Sequence, residues 1–72
     1  MSRSPHCVGV DLGGTKIEAI VLAADGTALA RRRCPTPARH YEDTIAAIVD
    51  LISAVMAQSG ILNDPFVTIG VG

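Results

Sequence analysis

The sequence lacks most of the features that give a quick functional answer. Its two cysteines, Cys7 and Cys34, are too few and too isolated for a disulfide framework, so free thiols in a reducing compartment are expected. With His6 and His40 they make four zinc-type donors by count, but no C-x-x-C or H-x3–5-H pair brings them together. Excess charge is missing as well. The formal net charge is −1 and the pI about 6.0, which leaves no electrostatic footprint for nucleic acid or an anionic membrane. Arg31-Arg32-Arg33 is the only basic cluster and reads as the solvated edge of a strand. No uncharged apolar stretch approaches the ~20 residues of a membrane span, and the arginine in Met1–Pro5 is not followed by the apolar run of a signal peptide. The expectation is a cytoplasmic chain with neither nucleic acid nor membrane as partner.

What the sequence does contain is a foldable apolar pattern. Hydrophobic residues make up 49% of the 72 and charged residues 18%, a balance that supports a packed structure. The length fits one small domain or part of a larger one, since domains usually hold roughly 100–200 residues. Residues Cys7–Leu12 are apolar without clean alternation, as in a strand buried on both faces. Lys16–Ala23 alternates Ile17, Ala19 and Val21 against Glu18, Ile20 and Leu22 and reads as a second strand. Asp25-Gly26 signals a hairpin, because both residues tolerate positive φ, and Thr27–Arg33 then pairs back as a third. Cys34-Pro35-Thr36-Pro37 ends that pattern. From Tyr41 to Ser59 the spacing of Ile45, Ile48, Val49, Ile52, Val55 and Met56 predicts a helix with one stripe against a sheet. Glu42 and Asp43 suit its N-terminal dipole, and Gly60 suits the left-handed position after its last turn. Asn63-Asp64-Pro65 makes a turn, and Phe66–Val71 reads as another buried strand. It ends the chain on Gly70-Val71-Gly72, which implies a fragment of a larger domain.

The chemistry is concentrated in Val8–Lys16. Two common phosphate motifs do not fit: G-x-x-x-x-G-K-[ST] requires another Gly-to-Lys spacing, and G-x-G-x-x-G requires separated glycines ahead of a helix. A strand-turn-strand phosphate loop does fit. Gly13 and Gly14 admit the close approach of an anion to main-chain N–H groups that a β-carbon would obstruct. Thr15 and Lys16 add side-chain donors. Asp11, at the strand end, supplies the single carboxylate on which a hydrated Mg²⁺ bridging the phosphates would rest. Taken alone, Asp-x-Gly-Gly is equally compatible with an ordinary tight turn and a solvated lysine.

The order of the pieces adds to this. Asp11-Leu12-Gly13-Gly14-Thr15-Lys16, the Asp25-Gly26 hairpin, Pro35-Thr36-Pro37, the amphipathic helix and Val67-Thr68-Ile69-Gly70-Val71-Gly72 resemble the N-terminus of a ROK-family sugar kinase. The resemblance implies an α/β fold: the ribonuclease H-like β-β-β-α-β start of an actin-like ATPase, with a mixed sheet and a packed helix. Residues 1–72 would be the N-terminal portion of its first domain. It implies that Asp11, Gly13, Gly14, Thr15 and Lys16 surround the phosphates of ATP, with Asp11 toward Mg²⁺ through water. Thr36, Gly70 and Gly72 would border the sugar side, the two glycines in a turn that in the family continues through a Pro-Gly pair. No catalytic residue falls in this segment: the family's aspartate base, its zinc-binding His/Cys cluster and its adenosine pocket lie beyond Gly72. The implied parent is a homo-oligomeric enzyme that phosphorylates a hexose, foremost as a fructokinase, alternatively as an N-acetylglucosamine kinase or glucokinase. The 72 residues alone would be inactive, since half a cleft without its base positions nothing. Two readings of other classes compete. A ROK-type transcriptional repressor would need a helix-turn-helix ahead of the loop, where only Met1–His6 stand; a free-standing interaction module would fold alone as a monomer.

Overall fold

The computed structural model describes residues 5–38, 40–65 and 67–72. Strand β1 (Cys7–Leu12) is followed by β2 (Lys16–Leu22), β3 (Ala28–Pro35), helix α1 (Tyr41–Gln58) and β4 (Thr68–Val71). The strands form one sheet in the order β3-β2-β1-β4. The first three pair antiparallel in sequence, and β4 joins the other side of β1 in parallel. Helix α1 therefore carries the chain from one edge of the sheet to the other.

Register explains which residues meet under the helix. Val8 stands opposite Val21, Val10 opposite Ala19 and Leu12 opposite Ile17, so the alternating residues of β1 and β2 share one face. Val8, Val10, Ile17, Ala19 and Val21 are buried there with Ala30 of β3, and Leu51, Val55 and Met56 of α1 close over them. Each fully buried side chain of this size contributes about 1.5–3 kcal/mol. The helix stripe is rotated from its expected position. Leu51 is in the core and Ile48 and Ile52 flank it, whereas Ile45 and Val49 are 43% and 55% exposed. The strands differ from expectation for a related reason. Val8 and Val10 of β1 are buried, but Cys7 and Gly9 on its other face are only half-buried, because no second layer covers that face. All four residues of β4 are exposed, since α1 packs on β1, β2 and β3. The expected start of β4 at Phe66 lies outside the described residues.

Local chemistry closes the elements. The β2–β3 hairpin turns at Ala23–Gly26, where the Gly26 N–H donates to the Ala23 carbonyl at 2.9 Å and the Thr27 carbonyl accepts from the Ala23 N–H at 2.8 Å. Only Gly26 takes a positive φ, +87°. Asp25 keeps a negative φ and instead accepts the Thr27 N–H at 2.9 Å, an Asx turn. A register shift between Val21 and Leu22 places a bulge in this hairpin. The helix ends in a Schellman motif: Ile61 N–H bonds the Met56 carbonyl and Gly60 N–H the Ala57 carbonyl, with Gly60 at φ +74° and Ile61 buried. Its N-cap, His40, makes no side-chain capping bond. Strand β3 runs two residues past its expected end, through Pro35. An edge strand tolerates this, because the missing proline N–H faces outward rather than into a ladder.

Candidate functional site

The β1–β2 turn projects from the end of the sheet at which β1, β3 and β4 all finish. In open α/β sheets the carboxyl ends of strands are where ligands collect, and every candidate residue except Gly70 lies at this end. Gly72 continues β4 alongside β1: its N–H donates to the Val10 carbonyl and its carbonyl accepts from the Leu12 N–H, both at 2.9 Å. Gly70 stands within β4 opposite Gly9, so it belongs to the strand rather than to a turn. Thr36 follows β3 directly. Asp11, Gly14, Thr15, Lys16 and Gly72 are exposed, while Gly13 and Thr36 are half-buried.

The two adjacent glycines differ in their surroundings, and neither has a positive φ. A β-carbon on Gly13 would lie 2.9 Å from the Lys16 carbonyl oxygen, the same oxygen that accepts the Gly13 N–H at 3.0 Å. Gly13 is required by the turn itself. A β-carbon on Gly14 would meet nothing within 4 Å, so the space beside Gly14 is free. Among the described residues, the Gly14 and Thr15 N–H groups meet no backbone acceptor. Two successive N–H groups at an exposed tip are an anion-binding arrangement.

The carbonyls of the turn are held from behind. Thr36 donates its hydroxyl to the Gly13 carbonyl at 2.8 Å and its N–H to the Thr15 carbonyl at 3.0 Å. Sequence reasoning placed Thr36 near the sugar and did not identify this contact, for which no short-range signal exists: the partners are 23 positions apart. The charged members of the turn remain uncommitted. Among the described residues the one ion pair joins Arg33 to Glu18 at 3.8 Å, and neither Asp11 nor Lys16 has a partner. One exposed carboxylate beside an open turn is the donor set a mostly hydrated Mg²⁺ uses.

Other candidates do not converge on a site. Cys7 and Cys34 are free and lie on opposite faces of the sheet, Cys34 packed against the core. A groove of about 430 Å³ between β3 and α1, lined by Arg32, Cys34, Asp50 and Ala54 among others, contains none of residues 11–16. No helix among the described residues is long and apolar enough to cross a membrane.

A β-β-β-α-β half-sheet with a glycine turn at the carboxyl end of its first strand defines an actin-like ATPase fold. The solved ROK hexokinase of Thermus thermophilus shares it, with a TM-score of 0.76 and 29% identity over 92% of this chain and 22% of that one. The family model for ROK matches residues 7–72, and the chain belongs to the ROK family. An N-acetyl-D-glucosamine kinase of Pectobacterium atrosepticum is 38% identical over 64 residues, covering 89% of this chain and 20% of that protein. An N-acetylmannosamine kinase of Shigella boydii is 36% identical over 66 residues, covering 79% of this chain and 23% of that one. The chain thus spans about a fifth of the length of these curated relatives.

Proposed function

We propose that these residues form the N-terminal part of the first domain of a sugar kinase, and that the Asp11–Lys16 turn holds the phosphates of ATP during transfer to a hexose. The observation that carries the proposal is the exposed tip at Gly14 and Thr15. It presents two uncommitted N–H groups, open space, an unpaired lysine and an unpaired carboxylate in one turn. Lys16 would offset phosphate charge, Thr15 would add a hydroxyl, and Asp11 would hold Mg²⁺ through water. The ion, when bound, supplies charge neutralisation on the phosphates. Gly72, at the end of β4, borders the sugar side in this reading, whereas Gly70 lies within the strand and Thr36 backs the phosphate turn. The family's base, which takes the proton of the sugar hydroxyl, would come from outside these residues, so the 72 alone would not turn over.

The curated relatives are named for N-acetylglucosamine and N-acetylmannosamine, which supports an N-acetylhexosamine as substrate at least as well as fructose. The discriminating experiment is phosphorylation of a panel of fructose, glucose, N-acetylglucosamine and N-acetylmannosamine by the full-length enzyme with Mg²⁺-ATP, wild type against Asp11→Ala. One sugar should be strongly preferred and the variant should lose most of the rate. Equal rates for wild type and variant would remove Asp11 from the site.

A further inference from the structure

We infer that Thr36 is a positioning residue for the nucleotide, acting by fixing the plane of the Gly13–Gly14 peptide so that the Gly14 N–H stands out toward the bound phosphate. The inference rests on the proposed phosphate role of the turn.

The geometry follows from the peptide group. In a trans peptide the carbonyl oxygen of one residue and the N–H of the next point in opposite directions, and the chain contains no cis peptide among its described residues. The Gly13 carbonyl is drawn back to the Thr36 hydroxyl at 2.8 Å, so the Gly14 N–H is turned away from Thr36, and among the described residues it meets no backbone acceptor. The Thr36 N–H holds the Thr15 carbonyl at 3.0 Å, which anchors the far side of the tip. Without a hydroxyl at position 36 the Gly13–Gly14 peptide would be free to rotate, because glycine on both sides opposes rotation least. An anion would then have to orient a donor that the folded chain now presents already oriented, and preorganisation of this kind sets phosphate affinity. The side chain thereby links the end of β3 to the nucleotide loop, and its loss should be felt by ATP rather than by the sugar.

The test compares Thr36→Val, which keeps the shape and removes the hydroxyl, with Thr36→Ser, which keeps the hydroxyl, in the full-length enzyme with Mg²⁺-ATP and its preferred sugar. Valine should raise KM for ATP roughly three- to tenfold, the factor one neutral hydrogen bond supplies, with KM for the sugar unchanged; serine should restore most of the loss. A rise in KM for the sugar alone, or a valine variant with wild-type KM for ATP, overturns the inference. A second readout needs no variant. In wild-type protein the Gly14 amide resonance should shift downfield on saturation with Mg²⁺-ATP, and an unmoved Gly14 amide at saturation overturns the inference as well. Asp11→Ala separates the two levels: if it leaves phosphorylation intact the phosphate role of the turn fails, whereas if it abolishes activity while Thr36→Val leaves KM for ATP at the wild-type value, only the role of Thr36 fails.

Discussion

At Gly13 and Gly14 the same residue type answers two physical demands, and mutation should separate them. Alanine at position 13 puts a β-carbon 2.9 Å from a backbone oxygen that cannot move without opening the turn. It should cost about 1–3 kcal/mol of stability, the range for overpacking a constrained site, visible as a lower midpoint in chemical denaturation. Alanine at position 14 meets open space. It should leave that midpoint within about 0.5 kcal/mol of wild type, as surface substitutions do, yet weaken ATP binding by placing a methyl group where the phosphate approaches. A Gly14→Ala protein that binds ATP normally would mean that the opening is not the ligand's. The sequence shows that a glycine pair beside a carboxylate and a lysine is suited to phosphate; which of the two the turn itself requires depends on Lys16 turning its carbonyl back onto Gly13, a local conformation that residue types alone do not specify. Thr36 is illegible for a different reason, because its partner lies 23 positions away and is brought near only by the pairing of β2 with β3.

Among the elements, α1 was readable from its period, β2 from its alternation together with the Asp25-Gly26 hairpin signal, and β1 and β4 from apolar runs without a period. The alternation of Ile17, Ala19 and Val21 and the spacing from Ile48 to Met56 locate β2 and α1 to within a residue or so. Which face of a helix is buried is not local information. It depends on where α1 lies over the sheet, and that position buries Leu51 and leaves Ile45 and Val49 in solvent. The hairpin is a case in which the turn was found but its chemistry differed: Asp25 contributes a side-chain acceptor rather than a left-handed backbone. Its carboxyl is held below its ordinary value of 3.8, first by the hydrogen bond from Thr27. A folded-state pKa below the unfolded one stabilises the folded hairpin above the unfolded pKa, and that contribution is lost as pH falls through the lower, folded value. The group is fully exposed, so the effect is local. Acid titration should move the Thr27 amide resonance and speed its exchange, while Asp25→Asn, which retains an acceptor oxygen, should remove the pH dependence. A Thr27 amide that ignores acid would contradict the Asx turn.

For the molecule as a whole, the β4 side of the helix-bearing sheet face and one helix flank are apolar and uncovered, because α1 does not reach β4. Ile45 and Val49 on α1, Ile69 and Val71 on β4, and Leu12 at the end of β1 are between 43% and 58% exposed. β4 is also an unpaired edge, which invites pairing with another strand. The 72 residues in isolation should therefore self-associate at micromolar concentration, seen as a sedimentation coefficient that rises with loading, and Val49→Lys with Ile69→Lys should reduce it. A concentration-independent monomer would instead favour the free-standing module. The fold itself was legible because element order and a glycine-rich turn together are distinctive; which surfaces meet further structure was not.

In the proposed site Asp11 engages a metal at the phosphates of ATP. Titration calorimetry of ATP into the full-length protein and its Asp11→Asn variant, each with Mg²⁺ and with EDTA, tests it directly. Wild-type affinity should fall at least about tenfold when Mg²⁺ is withdrawn, equivalent to 1.4 kcal/mol, and the variant should bind as weakly with Mg²⁺ as without. A variant that keeps the full Mg²⁺-dependent gain would contradict the claim.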